Sequence, residues 1–180
     1  MFSLPGYEVR RLASPDREQF QRLHERCGEY ILLISGAPPT TDDAQRLLDE
    51  RPPKTEEGDK FVLGVQGDGK LVAVIDLIRD YPTAGTWWVG NMMVDPCCRG
   101  GGFGTGFYRT CEAWMEQRGA RQIGLCVQEQ NVAAAQFWTR MGFQQTGEAQ
   151  QRIGDLESTV AIMYRDLAAE PVVASDVGPG

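Results

Sequence analysis

The chain has 180 residues and a single histidine, His24. A metal centre built from several histidines is therefore excluded, and a Ser-His-Asp triad would need that one ring, which sits in a helical pattern. No metal is expected. Basic residues are thin: 18 Lys and Arg stand against 25 Asp and Glu, a formal net charge of −7, and they form no run. Phosphate backbones demand clustered cations, so a nucleic-acid partner is not expected, although a polyphosphate ligand would need only a local positive site. No apolar run reaches the ~18 residues of a membrane-spanning helix, so no membrane partner is expected either. The first residues, "MFSLPGYEVRRLASPD", hold no basic stretch followed by an apolar block, which speaks against a secretory signal. Five cysteines, Cys27, Cys97, Cys98, Cys111 and Cys126, are odd in number and irregular in spacing. That pattern suits a disulfide framework poorly, and a reducing, cytoplasmic setting is the expectation.

Apolar residues make up 42% of the chain and charged residues 24%, an ordinary globular mixture that suits one domain. The domain is expected over residues 1–167. The remaining 168–180, "AAEPVVASDVGPG", has little to bury and reads as a disordered tail. A strand is predicted at Tyr7–Leu12. A helical pattern follows from Ser14, a good N-cap with Pro15 behind it, and carries Phe20, Leu23 and Cys27 on one face. Thr41, Asp42 and Asp43 start a second helix that Pro52 and Pro53 end. "KFVLGVQ" and "KLVAVIDLIRDYP" flank a "GDG" turn, and "TWWVGNMMVDP" adds a third antiparallel strand. Beyond it come a helix ended by Gly119, a strand "RQIGLCVQ", a helix from Asn131 to Gly142 and a last strand "STVAIMYRDL".

Between the third of these strands and its helix lies "CCRGGGFGTGFY", with five glycines: Gly100, Gly101, Gly102, Gly104 and Gly106. Glycine so dense costs stability unless the backbone needs unusual dihedrals or a very close neighbour. A Walker loop needs a lysine, and none follows Lys70; the dinucleotide spacing G-x-G-x-x-G finds no glycine at its sixth position. What remains is Arg99-x-x-Gly102-x-Gly104 at a helix start, where successive backbone N–H groups, the helix dipole, the Arg99 guanidinium and the Thr105 hydroxyl can converge on a pyrophosphate. A plain flexible connection is the alternative on spacing alone.

The stretch "NMMVDPCCRGGGFGTGFY" resembles the coenzyme A-binding signature of the GNAT acetyltransferase superfamily, V-x-P-x-x-R-G-x-G-x-G, matched at Val94, Pro96, Arg99, Gly100, Gly102 and Gly104. "NVAAAQFWTRMGF" resembles the family's second signature at Asn131, Ala134, Phe137, Gly142 and Phe143. The resemblance implies an α/β (α+β) fold: a mixed, mostly antiparallel sheet flanked by helices and splayed at the cofactor-binding strand. It implies acetyl-CoA as co-substrate and direct attack by an amine on its thioester. Met92, Met93 and Val94 would meet the pantetheine arm, with the Met92 amide polarising the carbonyl. Arg99, Gly100, Gly101, Gly102, Phe103, Gly104 and Thr105 would wrap the pyrophosphate, and Asn131 and Phe137 would sit beside the cofactor. The implied acceptor is a small-molecule or peptide amine, and a homodimer is the assembly considered.

Many relatives carry a tyrosine where this chain has Trp138, whose indole N–H is no acid. Tyr108 is the substitute proton donor considered. No carboxylate lies in "TWWVGNMMV", but a hairpin centred near Thr83–Ala84 sets Asp76 opposite Asn91, beside Met92. Asp76 is thus the candidate base, against the alternative that it faces solvent. His24-x-x-Cys27 reads as ordinary packing; the adjacent Cys97 and Cys98 read as incidental, against oxidation or a nucleophilic role; Trp87, Trp88 and Trp138 read as core, against the lining of an acceptor pocket. The competing function is a domain that binds acyl-CoA without turnover, as a sensor.

Overall fold

The computed structural model describes residues 2–167; the tail expected to be disordered lies outside them. One seven-stranded sheet runs β1-β2-β3-β4-β5-β7-β6, with β1 Glu8–Arg11, β2 Lys60–Gly67, β3 Lys70–Arg79, β4 Thr86–Val94, β5 Gln122–Gln128, β6 Gln144–Ile153 and β7 Leu156–Asp166. Every neighbouring pair is antiparallel except β4 and β5. The helices are α1 Arg17–Arg26, α2 Gly28–Ser35, α3 Asp43–Asp49, α4 Phe103–Glu116 and α5 Val132–Arg140. This is the mixed, flanked sheet that the resemblance implies. No helix among the described residues is long and apolar enough to cross a membrane.

The central strands are apolar on both faces, so each face collects its own core. Val62, Val74 and Met93 meet Phe20, Leu23, Cys27, Ile31 and Ala44 from α1–α3. Their sequence neighbours Leu63 and Ile75, one residue on and therefore pointing the other way, join Trp87, Phe107, Tyr108, Trp114 and Trp138 under α4 and α5. Each such fully buried side chain contributes ~1.5–3 kcal/mol. The helical pattern after Ser14 is not one helix. Cys27, at φ −90° and ψ 20°, interrupts it, and Gly36, left-handed at φ 74°, ends the second piece. The interruption lets α2 turn across the sheet.

Strand β6 is missing from the sequence expectations. Its residues, "QQTGEAQQRI", are exposed or half-buried throughout, so no apolar alternation marks it, and pairing with β7 alone makes it a strand. The β3–β4 register agrees with the hairpin arithmetic, with Asp76 opposite Asn91. Directly after this pair Leu77 faces Val89, so Gly90 is an extra residue in β4. A bulge of this kind bends its strand. The parallel ladder of β4 with β5 runs only from Thr86–Gln122 to Val89–Leu125, while β5 stays paired with β7 through Gln128. From Gly90 onward, β4 and β5 part.

Candidate active site

A cleft of about 780 Å³ opens where the strands part. Its floor is Trp88–Met92 of β4 and Leu125–Gln128 of β5; α2 and α3 stand over one side, Asn131, Ala134 and Trp138 on the other. The tip of the β6–β7 hairpin closes the far wall, where the Asp155 N–H donates to Ser35 O at 3.0 Å; from the end of β5, Gln128 Nε2 donates to Ile34 O at 2.7 Å.

At one end, β4 runs into the glycine loop. Asp95 is buried and anchors the turn, accepting from the Cys97 N–H at 3.1 Å and from Arg26 Nε at 2.5 Å. Burial works to raise its pKa, but these hydrogen bonds outweigh that and hold the carboxyl below the ordinary range. Arg99 Nε donates to Val94 O at 2.9 Å and its guanidinium rests on Cys27 Sγ at 3.6 Å, so the arginine braces the loop from below. Gly100 and Gly102 have φ of +87° and +81°, a region that side chains with a Cβ rarely adopt, and a Cβ on Gly100, Gly101 or Gly102 would meet nothing within 4 Å. Gly102 then caps α4, whose first amides have no intrahelical acceptor. The loop thus joins glycines with open space on their Cβ side to a helix start whose first N–H groups have no intrahelical acceptor. Gly104 faces Val94, Phe137 and Met92, which places Phe137 under the loop.

The other end is built from side chains. Asp76, 8% exposed and not the solvent-facing residue of the alternative, accepts from Lys60 Nζ at 2.8 and 2.9 Å. A Cβ at Gly90 would lie 2.8 Å from Asp76 Oδ2, so the bulge needs glycine to leave the carboxylate room. Burial raises the Asp76 pKa, with Lys60 pulling against it and Glu50 adding to it. Asn91 Nδ2 donates to the Tyr30 hydroxyl at 3.4 Å, while Asn91 Oδ1 is buried with no protein partner. That orphan acceptor, on a strand edge left unpaired beyond Val89, fits an amide or amine N–H from a ligand. Burial pushes the Tyr30 hydroxyl up to about 12. His24, Asp43, Arg46 and Glu50 complete this end, with Arg46 bonded to Asp43.

The structure thus brings Asp76, Asn91, Met92 and Asn131 into one cleft, with Arg99 to Thr105 at the end of β4. Met93 points away into the α1 core, leaving its backbone to the cleft edge. Asn131 Oδ1 is occupied in capping α5, accepting from the Ala134 N–H at 3.1 Å. Tyr108 is not brought in. Its ring is fully buried against Trp138 at 5.0 Å and Phe143 at 5.9 Å, and it lines no part of the cleft. Burial first, and then the nearby Glu112, push its hydroxyl far above the ordinary tyrosine range, so the proton-donor role considered for it has no geometry here. His24, read as packing, does line the cleft. Lys60, Tyr30 and Glu50 carry no signal in the sequence, because each follows a charged residue in a stretch with no motif spacing.

Residues 17–143 match the family model described as Acetyltransferase (GNAT) family. No curated protein matches the chain in sequence. Among solved structures, an acetyltransferase from Thermus thermophilus superposes with a TM-score of 0.74 at 19% identity, covering 93% of this chain and 100% of that one. A GCN5-related N-acetyltransferase from Kribbella flavida gives 0.66 at 21%, covering 92% and 100%. A ribosomal-protein-alanine N-acetyltransferase from Brucella melitensis gives 0.65 at 17%, covering 89% and 99%.

Proposed function

Because the chain belongs to the GNAT acetyltransferase family, whose members use acetyl-CoA as co-substrate, we propose that it transfers the acetyl group to a primary amine of a small molecule or peptide by direct attack. One observation carries this reading: β4 and β5 part at Gly90, and the parted β4 leads into a glycine-lined helix start. Bound acetyl-CoA would supply the activated thioester. Arg99 to Thr105 would hold its pyrophosphate through backbone N–H groups, with Phe137 beneath them. The unpaired edge of Asn91–Val94 would hold the pantetheine amides, and the Met92 N–H would polarise the thioester carbonyl.

Asp76 is the base in this reading. An amine arrives as an ammonium and attacks only after losing a proton, and Asp76 is the buried carboxylate nearest Asn91 and Met92. The first proton goes to Asp76, and the freed amine then forms the C–N bond with the thioester carbon. The C–S bond then breaks, its electron pair stays on sulfur, and the second proton leaves with the thiol. Asn91 Oδ1 orients the incoming nitrogen, Asn131 stands beside the cofactor with its Oδ1 held in the α5 cap, and Trp138 shapes the wall without giving a proton. Thiol release from acetyl-CoA, measured across small amines and peptides with free amino termini, tests the reading. Amine-dependent release with a matching N-acetylated product is expected. Tight acetyl-CoA binding with no turnover on any amine would overturn it in favour of a sensor.

A further inference from the structure

Of the three lysines, Lys54, Lys60 and Lys70, only Lys60 lines the cleft. It is 5% exposed, and its Nζ reaches both oxygens of Asp76. A buried ion pair adds little net stability, because desolvation of both charges offsets their attraction, and apolar residues of the same volume would serve the core as well. This pair therefore needs another account, and its position supplies one. Asp76 sits beside the Gly90 bulge and opposite Asn91, where β4 and β5 begin to part.

The groups around Asp76 divide cleanly. From β2 comes Lys60; from the segment after α3 comes Glu50, whose negative charge opposes ionisation of Asp76. Strand β4 contributes the uncharged Gly90 and Asn91. Across the cleft, α1 brings His24, which burial keeps neutral, and α3 brings Asp43 and Arg46, already bonded to each other. Lys60 is thus the one cation in contact with Asp76 among the described residues. Without it, a carboxyl at this depth and beside Glu50 would hold its proton. Contact with both oxygens also stops the carboxylate from rotating and keeps Oδ2 toward Gly90.

We infer that Lys60 is a positioning residue for acetyl transfer, its ammonium holding Asp76 deprotonated and oriented to take the acceptor's proton. The inference rests on the reading of Asp76 as the base. Lys60 acts through Asp76 and touches neither the acceptor nor the thioester.

The experiment follows the carbon-13 signal of the Asp76 carboxyl against pH in the wild type, K60M and K60R, with D76N assigning the peak. Asp76 is expected to be ionised at pH 7 in the wild type. In K60M its midpoint rises by roughly two pH units or more, and K60R brings most of that shift back. A folded K60M whose midpoint stays within about half a unit of wild type overturns the inference, as does a wild-type Asp76 that is protonated at pH 7. If K60M does not fold, K60Q takes its place under the same criteria, alongside the wild-type titration. The pH dependence of thiol release, with the fastest amine found, separates the two readings. If D76N keeps the acidic limb, Asp76 is not the base and the inference falls with it. If D76N loses the limb while K60M leaves it unmoved, only the role of Lys60 falls.

Discussion

At the end of the cleft proposed for the cofactor, the groups on offer are backbone: amides at Gly100–Thr105, positive φ at Gly100 and Gly102, and the unpaired edge of β4. At the end proposed for the acceptor they are side chains, with Lys60, Asp76 and Asn91 contributed by three different strands and Glu50 by the segment after α3. Backbone recognition suits a ligand part shared by a whole family, because any sequence with enough glycine can offer it. Side-chain recognition suits the part that varies. The two ends should therefore fail separately when altered.

The largest effect expected is at Asp76. D76N should lower kcat/KM by about a hundredfold or more at pH 7.5, remove the acidic limb, and leave acetyl-CoA affinity by calorimetry within about twofold of wild type. The sign of the limb follows from the chemistry: the carboxylate must be deprotonated to act, so activity is lost as pH falls through the Asp76 pKa, which burial places above its ordinary value. A matching loss of cofactor affinity would break the division between the ends. G90A comes next. Its methyl would stand 2.8 Å from Asp76 Oδ2 and displace the carboxylate, costing between about tenfold and a hundredfold in kcat, again with acetyl-CoA affinity intact.

G102V addresses the opposite end. A branched side chain at φ +81° costs ~1–2 kcal/mol, so the acetyl-CoA KM should rise about tenfold while kcat changes little. A comparable fall in kcat would show that the loop also governs the chemistry. The smallest effect concerns His24, whose pKa burial lowers below 6.5. The unfolded chain takes up a proton before the folded one, so this residue's contribution is intact above about pH 6.5 and is lost as pH falls toward its folded value. H24F should flatten the decline in Tm between about pH 7 and pH 5 by a few degrees, read by thermal melts.

The division also decides what could be read from the sequence. The glycine loop and the Asn131 helix start are legible because their backbone geometry restricts the residue type at fixed spacings. Asp76 opposite Asn91 is within reach because a hairpin fixes its own register from the turn outward. Lys60 and Glu50 are not. Nothing in "GDKFVLG" marks a charge that will be buried beside another 16 residues away in β3, as Lys60 is beside Asp76, and nothing in "LLDERPP" marks Glu50 as a cleft residue. Strand β6 is hidden for a related reason: with neither face covered it carries no apolar period, and its partner β7 supplies the pattern it lacks.

Tyr108 shows the limit most directly. Its place in the first turns of α4, five residues after Phe103, suggests a hydroxyl near the cofactor, yet the helix rotates it into the aromatic cluster of Phe137, Trp138 and Phe143. Residue type at short range was enough for the family, for the apolar central strands, and for the loop that would hold the cofactor's phosphates. Which polar side chains meet in the cleft was left to the folded chain. Helix rotation, the Gly90 bulge and the packing of α1–α3 over the sheet set those meetings, and all three are sums of many contacts that no local spacing records.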